Sequence, residues 1–298
     1  MSSLAIGFTG IGIVIILIAL RVPIGAALGL TAFFGVASIR NIDVAFTLLR
    51  TTPFEFAAHW SLSAIPMFLL MGAVAYYSGV SSALFHAARL WLGALPGGLA
   101  VAATFACAGF AAASGASIAT AAAMGRITIP EMLKVKYDKG LAAGVVASAG
   151  TLGTLIPPSI LMVLYGIFAE VSIGKLFIAG ILPGILTATV YAGMIIFRCH
   201  LNPALAPNID FKATWAERFS SLKDIWPLAV LIIGIIGGLY GGIFTATEAG
   251  AVGALLAFVI TWLQGRMTKS LVKAAVLEAL SSTARIFFIA VVLCSNIF

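Results

Sequence analysis

The segment from Gly109 to Ser159 reads GFAAASGASIATAAAMGRITIPEMLKVKYDKGLAAGVVASAGTLGTLIPPS, and it decides how the rest of the chain is interpreted. Two runs of alanine, glycine, serine and threonine flank its charged part, and the second run ends in Pro157 and Pro158. We predict that the first run is a hairpin that enters a membrane and turns back. The second run is predicted to be a helix that is broken at membrane depth, where irregular backbone must line a cavity or be buried in protein.

The composition is that of an integral membrane protein. Of the 298 residues, 62% are hydrophobic and 9% are charged, whereas soluble domains are about half apolar and about a quarter charged. The net charge of +7 is assigned to basic cytoplasmic loops, because no soluble basic surface is large enough to bind a nucleic acid. The three cysteines, Cys107, Cys199 and Cys294, lie far apart and indicate neither a disulfide framework nor a metal site.

The N-terminal part contains two apolar segments in succession. Leu4–Leu20 has the composition of a signal-peptide core, but no basic residues precede it, and a second apolar segment, Val22–Ile39, follows Arg21 directly. A retained first span is therefore predicted. Asn41–Trp60 mixes charged and aromatic residues and is predicted to be a helix lying along the membrane interface. Ser61–Ser78 is predicted to span again.

The uncharged segment Leu99–Gly125 has an unusual length for a membrane span. Two crossings would need about 40 residues, and one straight helix would expose the Ser114–Ser117 region to lipid without benefit. Each half on either side of that region would reach about 20 Å, or about two-thirds of the hydrocarbon core. The sequence therefore predicts a re-entrant helical hairpin over residues 99–125.

The distribution of lysine and arginine supports this topology. With a hairpin that returns to its own side, and with Leu141–Ala169 crossing as a broken helix, thirteen basic residues are cytoplasmic and three are periplasmic. Arg285 remains at the start of a final span. A full crossing by Leu99–Gly125 would place the later basic clusters outside, against the positive-inside rule. The later predicted spans are Phe177–Phe197, Trp226–Ile243 and Glu248–Leu263.

Two stretches of the chain resemble each other. RVPIGAALGLTAFFGV, beginning at Arg21, is similar to FTATEAGAVGALLAFVI, beginning at Phe244, and the predicted topology gives them opposite directions. We predict an inverted repeat with its first half in residues 1–200, a cytoplasmic linker in 201–225 and an incomplete second half in 226–298. Small residues are also common wherever membrane helices pack closely, so the match has a second, purely structural interpretation.

Three motifs carry a resemblance to a known family. They are SGASIATAAAMGRITIPEM from Ser114, YDKGLAAGVVASAGTLGTLIPPSILMVLYGIFAEVSIGKLFIAGILPG from Tyr137 and GGIFTATEAGAV from Gly241. Together they resemble the large membrane subunit of tripartite ATP-independent periplasmic (TRAP) transporters. Two departures are visible: Ala246 stands where the family usually has proline, and family members continue beyond Phe298 through a second hairpin.

The resemblance implies an all-α, elevator-type transporter in the bacterial inner membrane. Such a subunit imports an organic acid, such as a dicarboxylate or a sugar acid, with sodium as the coupling ion and no other cofactor. Its implied partners are a periplasmic solute-binding protein, a small four-helix membrane subunit and the lipid bilayer. Carried over by motif, the sodium ligands are Ser114, Ser117, Thr151 and Gly153. The wider sodium and substrate site adds Gly115, Gly150, Thr154, Pro157 and Pro158.

Each of these residues also has a structural interpretation. Glycine, alanine and serine allow membrane helices to approach closely, and hydroxyl groups in helices commonly bond to their own backbone. Glu248 follows Thr245 at a predicted helix start, where free N–H groups stabilise a carboxylate, so we assign it a structural role. Arg126 is interpreted as a cytoplasmic anchor rather than a substrate ligand.

Other function classes were compared with transport. An intramembrane hydrolase would need a nucleophile beside a base, or a metal-ligand motif, and the apolar segments contain no deep histidine and no HExxH. We therefore expect no enzyme activity. An uncoupled carrier or a channel of the same superfamily remains an alternative, and dependence of uptake on sodium would distinguish it from a coupled transporter.

The C-terminal part carries a further expectation. Leu271–Ser282 is interpreted as an interfacial helix, and Ile286–Phe298 then begins an apolar span of only 13 residues, fewer than the roughly 20 that a span requires. We expect that the chain is truncated and that it inserts into a membrane without performing coupled transport on its own.

Overall fold

The computed structural model describes residues 3–207 and 213–294. In these ranges the chain forms α-helices and short 3₁₀ turns and no β-strand, which confirms the all-α class and, with the apolar composition, fits a multi-pass membrane protein. The α-helices, in chain order, are α1 (Ser3–Ala19), α2 (Ile24–Ile39), α3 (Ile42–Ala57), α4 (Ala64–Tyr77), α5 (Val80–Leu92), α6 (Gly98–Ser114), α7 (Ser117–Lys134), α8 (Lys139–Gly150), α9 (Ile160–Phe168), α10 (Ile173–Leu201), α11 (Trp215–Asp224), α12 (Trp226–Tyr240), α13 (Ala246–Leu263) and α14 (Lys269–Cys294).

Several predicted spans correspond to long apolar helices. Within the described residues, four helical segments are long and apolar enough to cross a membrane: Trp60–Tyr77, Ile173–Leu201, Ala246–Leu263 and Lys269–Val291. The first three confirm the apolar helices predicted at Ser61–Ser78, Phe177–Phe197 and Glu248–Leu263. The predicted N-terminal spans are the shorter apolar helices α1 and α2, and the mixed segment Asn41–Trp60 contains helix α3.

The helices form two compact units. The first lies within residues 3–62 and 280–294 and contains α1, α2, α3 and the second part of α14. Gly25 in α2 contacts the ring of Phe288 in α14 so closely that an added Cβ would lie 2.5 Å from Cε1. The rings of Phe33 and Phe46 meet edge to face at 5.2 Å and join α2 to α3.

The second unit lies within residues 63–279, and two of its helices, α4 and α13, run parallel. Near the helix starts, a Cβ on Gly250 would lie 3.0 Å from the Ala64 oxygen. At the other end, Arg266 Nη1 donates to the Ser78 oxygen at 2.7 Å. Because the first residues of one helix meet the first residues of the other, α4 and α13 point in the same direction.

Helices α6 and α7 form the predicted helix–break–helix. Gly115 ends α6 with φ 61°, and Ala116 is extended before α7 begins at Ser117. The outer ends of the two helices meet, since Leu99 N donates to the Tyr137 hydroxyl at 3.3 Å. The predicted end of the second arm at Gly125 is wrong, because α7 continues to Lys134. Arginine, methionine, leucine and lysine favour helix, so the change to a charged sequence does not end it.

The break predicted within Leu141–Ala169 is confirmed. Helix α8 ends at Gly150, a 3₁₀ turn covers Thr151–Thr154, and α9 begins at Ile160 after the two prolines. Prolines at 157 and 158 cannot donate backbone hydrogen bonds, so no regular helix can continue through them from the 3₁₀ turn into α9.

The predicted division of the C-terminal region is wrong. Helix α14 runs without interruption from Lys269 to Cys294, so Leu271–Ser282 and the apolar residues from Ile286 belong to one helix. No glycine or proline occurs between Lys269 and Cys294, and nothing in the local sequence therefore forces a break. Residues 295–298 of the predicted final span lie outside the described residues.

Candidate functional site

The hairpin tip depends on the backbone conformation of Gly115. Its φ of 61° is in the left-handed region, which glycine adopts without steric cost because it has no Cβ. The Gly115 N–H still donates to the Ala111 oxygen at 2.8 Å, so α6 closes normally before the chain turns. The chain therefore turns at Gly115, a residue that can adopt the left-handed conformation that the turn requires.

The two breaks are in direct contact. Ile160 N, at the start of α9, donates to the Gly115 oxygen at 2.9 Å. A Cβ on Gly115 would lie 2.6 Å from the Pro158 oxygen, and one on Gly153 would lie 2.9 Å from Ser117 N. The hairpin tip and the broken helix thus share one small region, in which the glycines permit the close approach.

Several hydroxyl groups around the breaks make hydrogen bonds within the protein. Ser114 Oγ and Thr120 Oγ1 are 2.7 Å apart in a buried pair. Thr151 Oγ1 donates to the Ser148 oxygen at 2.6 Å, and Thr154 Oγ1 donates to the Thr151 oxygen at 2.8 Å. A hydroxyl that donates its proton keeps its lone pairs, so these bonds leave the oxygen able to contact a cation.

Two helices begin at this site without side-chain caps. Ala116 precedes α7 and has no polar side chain. Ser159 precedes α9, but its hydroxyl makes no cap bond and instead donates to the Thr154 oxygen at 2.8 Å. Helix N-termini favour anions, and the C-terminal ends of α6 and α8 present carbonyl oxygens that favour cations. The region is thus suited to bind an anion and a small hard cation close together.

The structural interpretation of the glycines is confirmed at the same positions. A Cβ on Gly150 would lie 2.6 Å from Ala121 Cβ, in the second arm of the hairpin. Thr151 and Thr154 bond to backbone oxygens within three residues, as expected for membrane hydroxyls. Pro157 and Pro158 are buried. The predicted residues therefore all lie in or beside the breaks, and the glycines are also needed for packing.

Three neighbours of the breaks were not predicted. Thr120 is fully buried beside Ser114, and it lies one helical turn after Ser117, a spacing that places both on one face. Ser159 is also fully buried and follows directly on the two prolines. Gly72 in α4 lies against the tip, since its Cβ would be 2.7 Å from Ser114 Cα. Only the first two could have been found from local spacing.

The base of the hairpin is held by charged and aromatic side chains. Glu131 in α7 pairs with Arg89 of α5 at 3.4 Å and with Lys134 at 2.5 Å. The hydrogen bond from Lys134 lowers the pKa of Glu131 below its usual value. Tyr137 lies beside the start of α6, and burial raises its pKa above the usual value.

Glu248 has the structural role predicted for it. Its carboxylate accepts from Thr245 N at 2.8 Å, while Thr245 Oγ1 accepts from Glu248 N at 3.3 Å. This reciprocal pair is a capping box at the start of α13. In the part of the chain that the structure describes, no group of three His, Cys, Asp or Glu side chains is arranged to hold a metal ion. A sodium site would thus depend on hydroxyl and carbonyl oxygens.

A family model described as the DctM component of tripartite ATP-independent periplasmic transporters matches residues 11–297. The chain belongs to the DctM family. It is 43% identical over 239 residues to the C4-dicarboxylate TRAP transporter large permease protein DctM of Pseudomonas aeruginosa, covering 79% of this chain and 55% of that protein. The protein with the same name in Vibrio cholerae is 40% identical, covering 80% and 52%.

A DctM relative with another named solute is similarly close. The ectoine TRAP transporter large permease protein TeaC of Halomonas elongata is 38% identical over 211 residues, covering 70% of this chain and 48% of that protein. The chain thus spans about half the length of the curated relatives it matches. These relatives are permease subunits of transporters, in line with the expectation that the chain is not an enzyme.

Proposed function

We propose that the chain is the large membrane subunit of a sodium-coupled secondary transporter that imports an organic acid across the bacterial inner membrane. A periplasmic solute-binding protein delivers the substrate, and a small four-helix membrane subunit completes the complex. The observation that carries the proposal is the contact between two helix breaks, in which Ile160 N donates to the Gly115 oxygen. Paired breaks at membrane depth are the places where secondary transporters bind ions and substrates.

The chemistry of the breaks fits sodium as the coupling ion. Ser114, Ser117 and Thr151 offer hydroxyl oxygens, and Gly153 offers a carbonyl oxygen at the end of a helical turn. Hard cations prefer oxygen ligands, and unwound carbonyls at helix ends serve this purpose in sodium-coupled carriers. The N-termini of α7 and α9 have no side-chain caps, so their free N–H groups favour an anion. We assign this position to the acid group of the substrate.

Two packing contacts support a hairpin that re-enters the membrane and returns to its own side. The bond between Leu99 and Tyr137 brings both ends of the hairpin together. In addition, α4 and α13 are parallel, which requires an odd number of crossings between them. The broken helix, α10 and α12 make three, so a single full crossing by the hairpin segment would have made α4 and α13 antiparallel.

The inverted repeat is supported by corresponding contacts in the two units. Gly25 of α2 packs on Phe288 in α14, and Gly250 of α13 packs on Ala64 in α4. In the repeat, α2 corresponds to α13, and α4 and the end of α14 follow them at corresponding positions. Each repeat thus packs its second helix on a later helix of the other repeat. We propose that this packing of each repeat on the other is part of an elevator-type architecture.

The named solutes of the relatives guide the choice of substrate. The Pseudomonas aeruginosa and Vibrio cholerae relatives are named for C4-dicarboxylates, and the Halomonas elongata relative for ectoine. We propose an organic acid as the substrate class, with C4-dicarboxylates as the first compounds to test. An uncoupled carrier or a channel is the alternative function, and it would not require sodium.

The proposal is tested by valine substitution of the hydroxyl ligands at the positions of Ser117 and Thr151 in the permease complex of a full-length relative. Ser117→Val and Thr151→Val each remove one cation-binding oxygen, and loss of one such contact is worth about tenfold in affinity. We expect the sodium concentration for half-maximal uptake to rise by about that factor, while binding of the periplasmic protein is unchanged. Uptake is measured in vesicles at graded sodium concentrations.

Thr189→Val is the matched control, because Thr189 Oγ1 also donates to a backbone oxygen one turn earlier, at 2.8 Å, but lies in α10. Its sodium dependence should equal that of the unmodified complex. An unchanged sodium dependence in Ser117→Val and Thr151→Val would remove these residues from the site, and uptake without any sodium would favour the uncoupled carrier.

A further inference from the structure

Helix α11 is a short helix with a strong start signal. Thr214 Oγ1 accepts from Glu217 N at 3.3 Å, and the Glu217 carboxylate accepts from Thr214 N at 2.8 Å. This capping box fixes the first turn and lowers the pKa of Glu217 through the backbone hydrogen bond. The sequence thus specifies a helix in the region between α10 and α12.

The face of α11 that meets the rest of the protein is polar. Arg218 Nε donates to the Leu90 oxygen of α5 at 3.2 Å, and Trp91 Nε1 donates to the Arg218 oxygen at 3.3 Å. Ser221, one turn later, is buried at 3% exposure, and its hydroxyl donates to the Arg218 oxygen. Polar contacts on this face therefore attach α11 to α5, in addition to the edge-to-face contact of Trp91 with Trp215 at 6.4 Å.

The outward face of α11 is aromatic. Trp215, Phe219 and Leu222 recur at spacings of four and three residues, which places them on one stripe, and they are 65%, 58% and 42% exposed. The Trp215 and Phe219 rings stack at 6.3 Å, and Trp91 of α5 extends this apolar stripe by meeting Phe219 edge-on at 5.9 Å. The guanidinium of Arg218 lies 5.0 Å from the Trp215 ring centre.

This polarity is the reverse of that of a surface helix in a soluble protein, which turns its apolar stripe inward. An exposed stripe of aromatic side chains indicates a surface that contacts a membrane or another protein. Tryptophan and phenylalanine stripes with adjacent basic residues suit the headgroup region of a bilayer. Lys223 lies beside the stripe, and α12, an apolar helix, begins at Trp226 with a bend of 51° from α11.

We propose that α11 is an in-plane membrane anchor whose aromatic stripe inserts into the headgroup region of the cytoplasmic leaflet. Its partner is the lipid interface, with anionic headgroups attracted by Lys223 and Arg218. The opposite exposed side, with Ala216, Ser220 and Asp224, faces water. Through Arg218 and Trp91, the anchor holds α5, which in turn contacts the first arm of the hairpin: Gly109 of α6 lies against Leu84 of α5.

Depth measurements with spin labels test the anchor directly. Single cysteines are introduced as Phe219→Cys and Trp215→Cys on the stripe and as Ser220→Cys on the water side, in a chain whose three native cysteines are replaced. The labelled chain is reconstituted in vesicles of phosphatidylethanolamine and phosphatidylglycerol. Collision rates with oxygen, which concentrates in lipid, and with a water-soluble nickel chelate are then measured.

We expect the ratio of oxygen to nickel collisions to be several times higher at positions 215 and 219 than at 220. Equal ratios at the three positions would overturn the proposal, because the stripe would then face water. Low collision rates with both reagents at 215 and 219 would overturn it as well, since another protein surface would then cover the stripe. The use of two stripe positions guards against a label that disturbs α11 locally.

Discussion

Gly150 and Gly144 lie six residues apart in α8 but have different surroundings. A Cβ on Gly150 would lie 2.6 Å from Ala121 Cβ, whereas a Cβ on Gly144 would meet nothing within 4 Å. We predict that Gly150→Ala lowers the stability of the chain by about 1–3 kcal/mol, through overpacking against the hairpin. Gly144→Ala should raise stability by up to about 1 kcal/mol, because alanine favours helix.

The measurement is thermal unfolding of both variants, purified in the same mild detergent and followed by helical circular dichroism. An equal increase in the unfolding temperature of both variants would show that α8 and the hairpin are not in close contact. The comparison isolates packing, since helix propensity acts alike on the two substitutions.

At single residues, the sequence predicted those roles that follow from local geometry. The cap role of Glu248 was confirmed because Thr245 stands three residues before it, which is a local pattern. The partner of Gly150 could not be predicted, since Ala121 is 29 positions away and many alanines are equivalent by sequence. The sodium-binding role of Ser117 and Thr151 stays a prediction, because the choice between lipid, packing and ion contact depends on more than residue type.

Closure of the hairpin is predicted to depend on Tyr137. Its side chain is 5% exposed, and its hydroxyl accepts from Leu99 N at the start of α6. Tyr137→Phe leaves the buried N–H of Leu99 without its hydrogen-bond partner. We therefore expect the free energy of unfolding to fall by about 1–3 kcal/mol near neutral pH. Tyr165→Phe in α9, where the ring is 59% exposed, serves as the control and should change little.

The contribution of Tyr137 to the free energy of unfolding should also depend on pH. Because burial raises the pKa of Tyr137 above the usual tyrosine value of about 10, the unfolded chain loses this proton at lower pH than the folded chain. The stabilisation is complete below about pH 10 and declines as the pH rises through the raised pKa. Thermal unfolding between pH 7 and pH 11 should therefore show the unmodified chain and Tyr137→Phe converging. A constant difference across this range would contradict the assignment.

Helix breaks were easier to predict than helix lengths. Gly115 and the two prolines at 157 and 158 impose backbone conformations, so the sequence located both interruptions correctly. The end of α7 at Lys134 and the continuity of α14 were not predicted, because charged residues are compatible with helix. The change from apolar to charged composition indicates where a helix leaves lipid, but not where it ends.

The order of the helices in the membrane is a property of the whole chain. The count of basic residues predicted that the hairpin returns to its own side, and two contacts distant in sequence support the same topology: Leu99 with Tyr137 and Ser78 with Arg266. Contacts of this kind could not be predicted from sequence, since they join segments 38 and 188 residues apart. The charge asymmetry can be used to predict topology because it sums over all the loops, and the returning hairpin stays a prediction.

The most direct test of this topology is the side of the membrane from which three single cysteines react. Leu95→Cys lies just before α6, Lys134→Cys ends α7, and Asn41→Cys lies between α2 and α3, each in a chain without its native cysteines. The cells are treated with an impermeant thiol reagent before and after the inner membrane is opened. We predict that position 41 reacts from the periplasm and that 95 and 134 both react only after opening, whereas reaction of 95 and 134 from opposite sides would contradict a hairpin that returns to its own side.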